Sequence, residues 1–203
     1  MQLIGMLDSP YVRRTAISLR LLGLPFEHRS LSVFRNFDEV HAINPLVKVP
    51  TLVCHDGFVL VDSTLIIDYA ETLANRSLMP TPPEQHRRAL RWIGVALVAA
   101  EKAVQIFYEH KREADRQDAG WTSRISGQLR DACALLEQEL RDADENAWLF
   151  GDAPTQADIT LAVAWGFVQL VAVDVAPAAN HPKLAAFAAR AERLPEFRAF
   201  PIA

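Results

Sequence analysis

Apolar and polar positions follow two alternating patterns over the first part of the chain and a single pattern afterwards. Residues 3–7 form a compact apolar run containing one glycine, Gly5, which predicts a buried strand. Residues 10–23 carry Val12, Ala16, Leu19 and Leu22 at helical spacing, and Gly23 closes the segment as a C-cap. A second strand is predicted over 26–31 and a short helical or irregular segment over 37–43. Residues 49–54 and 58–61 flank His55-Asp56-Gly57 and read as a hairpin. Residues 63–74 return to the helical period.

The order βαβαββα combines a parallel βαβ unit with an antiparallel hairpin, so an α/β thioredoxin-like domain is expected over residues 1–77. The run Leu78-Met79-Pro80-Thr81-Pro82-Pro83 then reads as a linker over 78–83. Beyond it, helices are predicted over 84–115, 121–144, 155–173 and 183–193, the last bracketed by Pro182 and Pro195. An all-α domain over 84–203 follows. Thr155-x-x-Asp158 reads as a capping box that starts the most apolar of these helices.

Composition narrows the function. The chain has 203 residues, 50% hydrophobic and 23% charged, with a net charge of -4 spread along its length. Such a chain is globular, and no basic block argues for nucleic acid or an acidic membrane surface. No apolar run reaches membrane-spanning length, and the first residues lack the basic flank of a signal peptide. A cytoplasmic protein is therefore expected. The two cysteines, Cys54 and Cys133, stand apart, and the six histidines are scattered, so neither a disulfide framework nor a metal site is predicted. Cys54 reads as a small buried apolar residue and His55 as a turn residue.

Three places could carry chemistry. Ser9 precedes Pro10 at the end of the first strand, which reads equally as a helix cap and as a seat for a thiolate, since the helix dipole and the hydroxyl both favour an anion there. Val49-Pro50 marks either a simple strand boundary or a special turn. Asp62-Ser63 opens a helix, as an N-cap or as a site where free N–H groups bind a carboxylate and Asp62 pairs with an ammonium.

Taken together, Ser9-Pro10-Tyr11-Val12-Arg13-Arg14, Gly23-Leu24-Pro25-Phe26-Glu27, Asn44-Pro45-Leu46-Val47-Lys48-Val49-Pro50-Thr51-Leu52 and Asp62-Ser63-Thr64-Leu65-Ile66-Ile67-Asp68-Tyr69 resemble the N-terminal half of cytosolic glutathione transferases. Gly151-Asp152-Ala153-Pro154-Thr155-Gln156-Ala157-Asp158-Ile159-Thr160 is similar to that family's C-terminal landmark. The resemblance implies that Ser9 donates a hydrogen bond to the glutathione sulfur, and that Val49, before a cis Pro50, pairs through its backbone with the cysteinyl part. It implies that Asp62 and Ser63 hold the γ-glutamyl end, and that Lys48 meets the glycyl carboxylate or is simply solvated. No cysteine lies near position 9, the Ser-Ser-Cys run of the maleylacetoacetate isomerase class is absent, and the first strand has no tyrosine. The serine type remains, resembling bacterial and plant members.

By the same resemblance, glutathione is the co-substrate, no metal is required, and a small electrophile occupies a neighbouring apolar pocket. Tyr11, Phe107, Tyr108 and Trp165 are the aromatic candidates for that pocket, with core packing as the competing reading. Family members are homodimers, which here would use the helix over 63–74 and the first two long helices. Detoxifying conjugation is the leading expectation. Glutathione-dependent isomerisation or dehalogenation in the same site is one alternative, and a non-catalytic protein-binding module like the stringent starvation proteins is another.

Overall fold

A computed structural model describes residues 1–141 and 147–202. It divides into two compact units, Met1–Leu78 with Leu194–Ala203, and Met79–Arg193. In the first unit the elements run β1 (Gln2–Ile4), α1 (Pro10–Leu21), β2 (Glu27–Arg29), α2 (Phe37–Ile43), β3 (Thr51–Val53), β4 (Val59–Val61) and α3 (Ser63–Ala74). The strands form one sheet in the order β2-β1-β3-β4. β1 runs parallel to β2, with α1 as the crossover, and antiparallel to β3, which in turn pairs antiparallel with β4. This is the expected βαβ unit followed by a hairpin.

The strands are shorter than the apolar runs that announce them, for a backbone reason. β1 stops at Ile4 because Gly5 adopts φ 134°, a conformation closed to residues with a side chain. A Cβ at Gly5 would lie 2.5 Å from Val12 Cγ2 and 2.9 Å from Val49 Cβ, so the glycine lets strand, helix and loop approach one another. The His28 Nε2–H donates to the Gly5 carbonyl at 2.7 Å and holds that junction. Val12, Ala16, Ile17 and Leu19 of α1 are fully buried, and α1 packs along α3, whose Ile66, Ile67 and Ala70 face inward.

In the second unit, α4 (Pro83–His110) packs against α5 (Ala119–Glu139) and α6 (Gln156–Val171), and α7 (Pro182–Ala191) closes on α6 and α5. The inner face of α4 sets Ala89, Ala96, Ala99, Ala100 and Ala103 among the larger Trp92, Ile93 and Ile106, and the small residues let neighbouring helices come close. α6 is apolar almost all round and is buried accordingly. α4 ends earlier than its pattern suggests. Buried Glu109 turns a carboxylate oxygen to the backbone N–H of Asp118 at 2.8 Å, which folds the chain over into a 3-10 turn at Ala114–Arg116. The expected extension of α5 over 142–144 lies outside the described residues.

The capping box forms: Asp158 accepts from the Thr155 N–H at 2.8 Å, the Thr155 hydroxyl at 2.6 Å and the Leu149 N–H at 2.8 Å. Glu137 does a similar job across the unit, accepting from the N–H groups of Lys183 and Leu184 at the start of α7. Among the described residues, no helix is long and apolar enough to cross a membrane.

The last stretch departs from the expectation that residues 84–203 form one helical domain. A short helix α8 (Pro195–Arg198) and the residues after it pack on the first unit. Phe197 is 1% exposed there, and Phe200 stacks on Phe26 with ring centroids 5.6 Å apart. Burying an aromatic side chain of this size is worth about 2 to 3 kcal/mol, enough to draw the segment onto that surface.

Candidate functional site

The sheet topology gathers the three candidate segments at one end. Ile4 pairs with Thr51, and Thr51 with Val61, so the C-terminal ends of β1 and β4 and the N-terminal end of β3 lie side by side. Ser9 follows the first of these ends, Val49-Pro50 precedes the second, and Asp62-Ser63 follows the third.

Ser9 is the N-cap of α1, with Pro10 in the first turn. Its Oγ accepts from the Val12 N–H at 3.4 Å, a long bond that occupies one lone pair. The hydroxyl proton is not used by that contact. Val49-Pro50 is a cis peptide bond, as the resemblance implies. The turn before it is organised by Asn44, a buried side chain that the sequence shows only as part of a motif. Its Nδ2 donates to Thr51 Oγ1 at 2.9 Å and its Oδ1 accepts from the Leu46 N–H at 3.1 Å. Lys48 is exposed on the same turn, and its carbonyl accepts from the Thr51 hydroxyl at 2.7 Å.

Asp62 caps α3 with its carboxylate, accepting from the N–H groups of Thr64 at 2.8 Å and Leu65 at 3.3 Å. Its backbone sits at φ 73° and ψ 125°, a strained conformation for a residue with a Cβ. Ser63 beside it is 4% exposed. Behind both lies Arg14, which sequence reasoning quoted only as part of a motif. Arg14 is 2% exposed, and its Nη1 donates to Ser63 Oγ at 3.0 Å and to Thr64 Oγ1 at 3.2 Å. Burial lowers its pKa to about 10, partly opposed by the nearby charge of Asp62. Since Arg14 takes lone pairs of the two hydroxyls, their protons point elsewhere and stay available as donors.

The aromatic candidates fall in different places. Tyr11 stands half-buried in the first turn of α1. In the second unit, Phe107 is half-buried and Tyr108 is 44% exposed near the end of α4, their rings edge to face at 5.8 Å. The Lys111 ammonium sits 4.4 Å from the Phe107 ring centroid. Trp165 is 5% exposed and packs its ring on His181, which makes it part of the helical core. Cys133 is buried, and its thiol is pushed up to about 12, which leaves it inert. Among the described residues, no group of His, Cys, Asp and Glu is arranged to hold a metal ion.

Two family profiles match the chain: glutathione S-transferase, N-terminal domain, over residues 3–93, and glutathione S-transferase, C-terminal domain, over residues 119–190. The uncharacterized GST-like protein YibF of Escherichia coli is 28% identical over 169 residues, spanning 83% of this chain and 82% of that protein. Glutathione S-transferase U1 of Arabidopsis thaliana is 32% identical over 125 residues. That match spans 55% of this chain and 55% of the plant protein, about half the relative's length. Among solved structures, a glutathione S-transferase from Methylobacterium radiotolerans in complex with glutathione sulfonate aligns with a TM-score of 0.90 at 28% identity, covering 100% of this chain and 95% of that one. A glutathione transferase family member from Pseudomonas fluorescens with bound glutathione gives 0.82 at 25% identity, covering 100% and 98%. With both halves matched in sequence and the whole matched in fold, the chain belongs to the glutathione S-transferase family.

Proposed function

We propose that this protein is a serine-type transferase that joins the glutathione thiolate to a small, electrophilic, largely apolar substrate. The observation that carries the reading is the convergence of Ser9, Val49-Pro50 and Asp62-Ser63 at one end of the sheet, each on a different chain segment. In this reading the Ser9 hydroxyl donates to the sulfur while the α1 N-terminus favours its negative charge. Val49 pairs through its backbone with the cysteinyl part of the tripeptide. The Ser63 backbone N–H and hydroxyl take the γ-glutamyl carboxylate, Asp62 takes its ammonium, and Lys48 meets the glycyl carboxylate.

The thiol proton leaves to solvent, and the sulfur lone pair then forms a bond to an electrophilic carbon as the leaving group departs. The protein supplies the anion and the proximity rather than a nucleophile of its own. In the first unit Tyr11 is the proposed aromatic contact for the acceptor; in the second Phe107 and Tyr108 are the aromatic candidates, and Trp165 is core support for the helix it lies on. Support from relatives is chemical, in that the Methylobacterium and Pseudomonas proteins hold glutathione sulfonate and glutathione.

The test is a thermal-unfolding series with glutathione, paired with a conjugation assay on a generic aryl halide. Stabilisation that grows with glutathione concentration, together with glutathione-dependent turnover, is expected. Absence of both would refute the reading.

A further inference from the structure

We propose that Arg13 is a positioning residue for the glutathione thiolate, tying the helix turn that presents Ser9 to the C-terminal segment of the chain. This rests on the reading of Ser9 given above. Arg13 acts at both ends. Its backbone N–H donates to the Ser9 carbonyl at 2.9 Å, closing the first turn of α1 on the capping residue. Its side chain, 1% exposed, runs the other way: Nε donates to the Phe200 carbonyl at 2.8 Å, and the guanidinium lies 5.6 Å from the centroid of the Phe197 ring. Phe197 is itself 1% exposed, and Phe200 is fixed by stacking on Phe26.

The first turn of a helix is where fraying begins, because its N–H groups lack partners within the helix. Here that turn is pinned through one side chain to residues 187 positions further along. A hydroxyl that must meet a sulfur at hydrogen-bond distance needs such a fixed turn, since a displacement of about 1 Å can cost on the order of a hundredfold in rate. The segment 194–202 is therefore assigned a part in setting the geometry of Ser9, through the contacts of Arg13.

Three variants test this: Arg13→Met, the milder Phe197→Leu, and Arg20→Met as a control at the exposed far end of the same helix. Two readouts are needed. Amide exchange at Val12 and Arg13, followed by NMR without glutathione, reports the turn itself. The pH profile of kcat/KM for the electrophile, at saturating glutathione, reports the bound thiolate. Arg13→Met and Phe197→Leu are expected to speed both amides, to move the acid limb to higher pH, and to lower kcat/KM near neutral pH by roughly tenfold. Arg20→Met should change neither. Phe197→Leu with wild-type exchange and a wild-type acid limb overturns the proposal, even if its melting temperature falls. A wild-type chain with no glutathione-dependent turnover defeats the reading of Ser9 as well, and the two failures are thus told apart.

Discussion

Asp62 and Arg14 show how individual residues are specified by partners far away in sequence. Asp62 holds its positive φ because its carboxylate takes two N–H groups of α3, and that conformation costs roughly 1 to 3 kcal/mol at an ordinary residue. Arg14 reaches Ser63, 49 residues away, from the interior of α1. The caps at Ser9 and Asp62 were legible in the sequence, because Ser-Pro and Asp-Ser are local helix-start signals. The inward course of Arg14 was not, because two adjacent arginines on a helix look alike until the partner element is in place.

Replacing Arg14 by Met should weaken glutathione binding by roughly tenfold or more, since Ser63 loses its orienting donor. Calorimetric titration would check this. The same variant should be no less stable than wild type at neutral pH, because a buried cation is expensive to desolvate. The pH sign follows from the lowered pKa. Below about 10 Arg14 is charged in both states, and the folded state bears the full cost of burying it. From about 10 up to the ordinary arginine value, the folded chain releases the proton first, so this group's contribution to stability rises with pH. Arg14→Met should lack that rise in denaturant titrations at alkaline pH.

Periodicity marks most of the helices and strands, and where an element ends short of its apolar pattern the cause is local. β1 ends at Gly5 and α4 at the Glu109 turn, neither of which interrupts the apolar pattern. The capping box at α6 was the clearest exception, because Thr155 and Asp158 are three residues apart and signal directly. Asp158 is 1% exposed and accepts from three donors, and burial nevertheless raises its pKa. Asp158→Ala should cost about 3 kcal/mol in urea unfolding, as those donors lose their partner in the interior. As the folded carboxyl titrates above the unfolded one, lowering pH through its raised value relieves the burial of its charge. This residue's contribution to stability is therefore greatest below the unfolded pKa and falls as pH rises. Asp158→Asn should remove that dependence while keeping much of the cap.

At the scale of the molecule, the order of elements carried the fold, because βαβ handedness and a hairpin leave few sheet topologies open. Prolines cluster where the two units divide, after Leu78, and the last of them, Pro83, already starts α4. The return of the C-terminal segment to the first unit was not visible in the sequence, because it depends on shape: Phe197 and Phe200 fit a surface made by α1 and Phe26. A homodimer, which the family resemblance implies, would cover exposed apolar residues on α3, Leu65 at 62% and Leu73 at 46%, and on α4, Leu90 at 53% and Val98 at 41%. Light scattering behind size exclusion should give twice the chain mass, and Leu90→Glu with Leu65→Glu should halve it.

The measurement that bears most directly on the whole account is the ionisation of bound glutathione, followed by thiolate ultraviolet absorbance against pH in wild type and Ser9→Ala. The wild-type complex should ionise well below the value of about 8.5 typical of a free thiol. Ser9→Ala should return the titration toward that value, with kcat/KM lower by roughly ten- to a hundredfold near neutral pH. Identical titrations in the two proteins, with glutathione bound in both, would contradict the role given to Ser9.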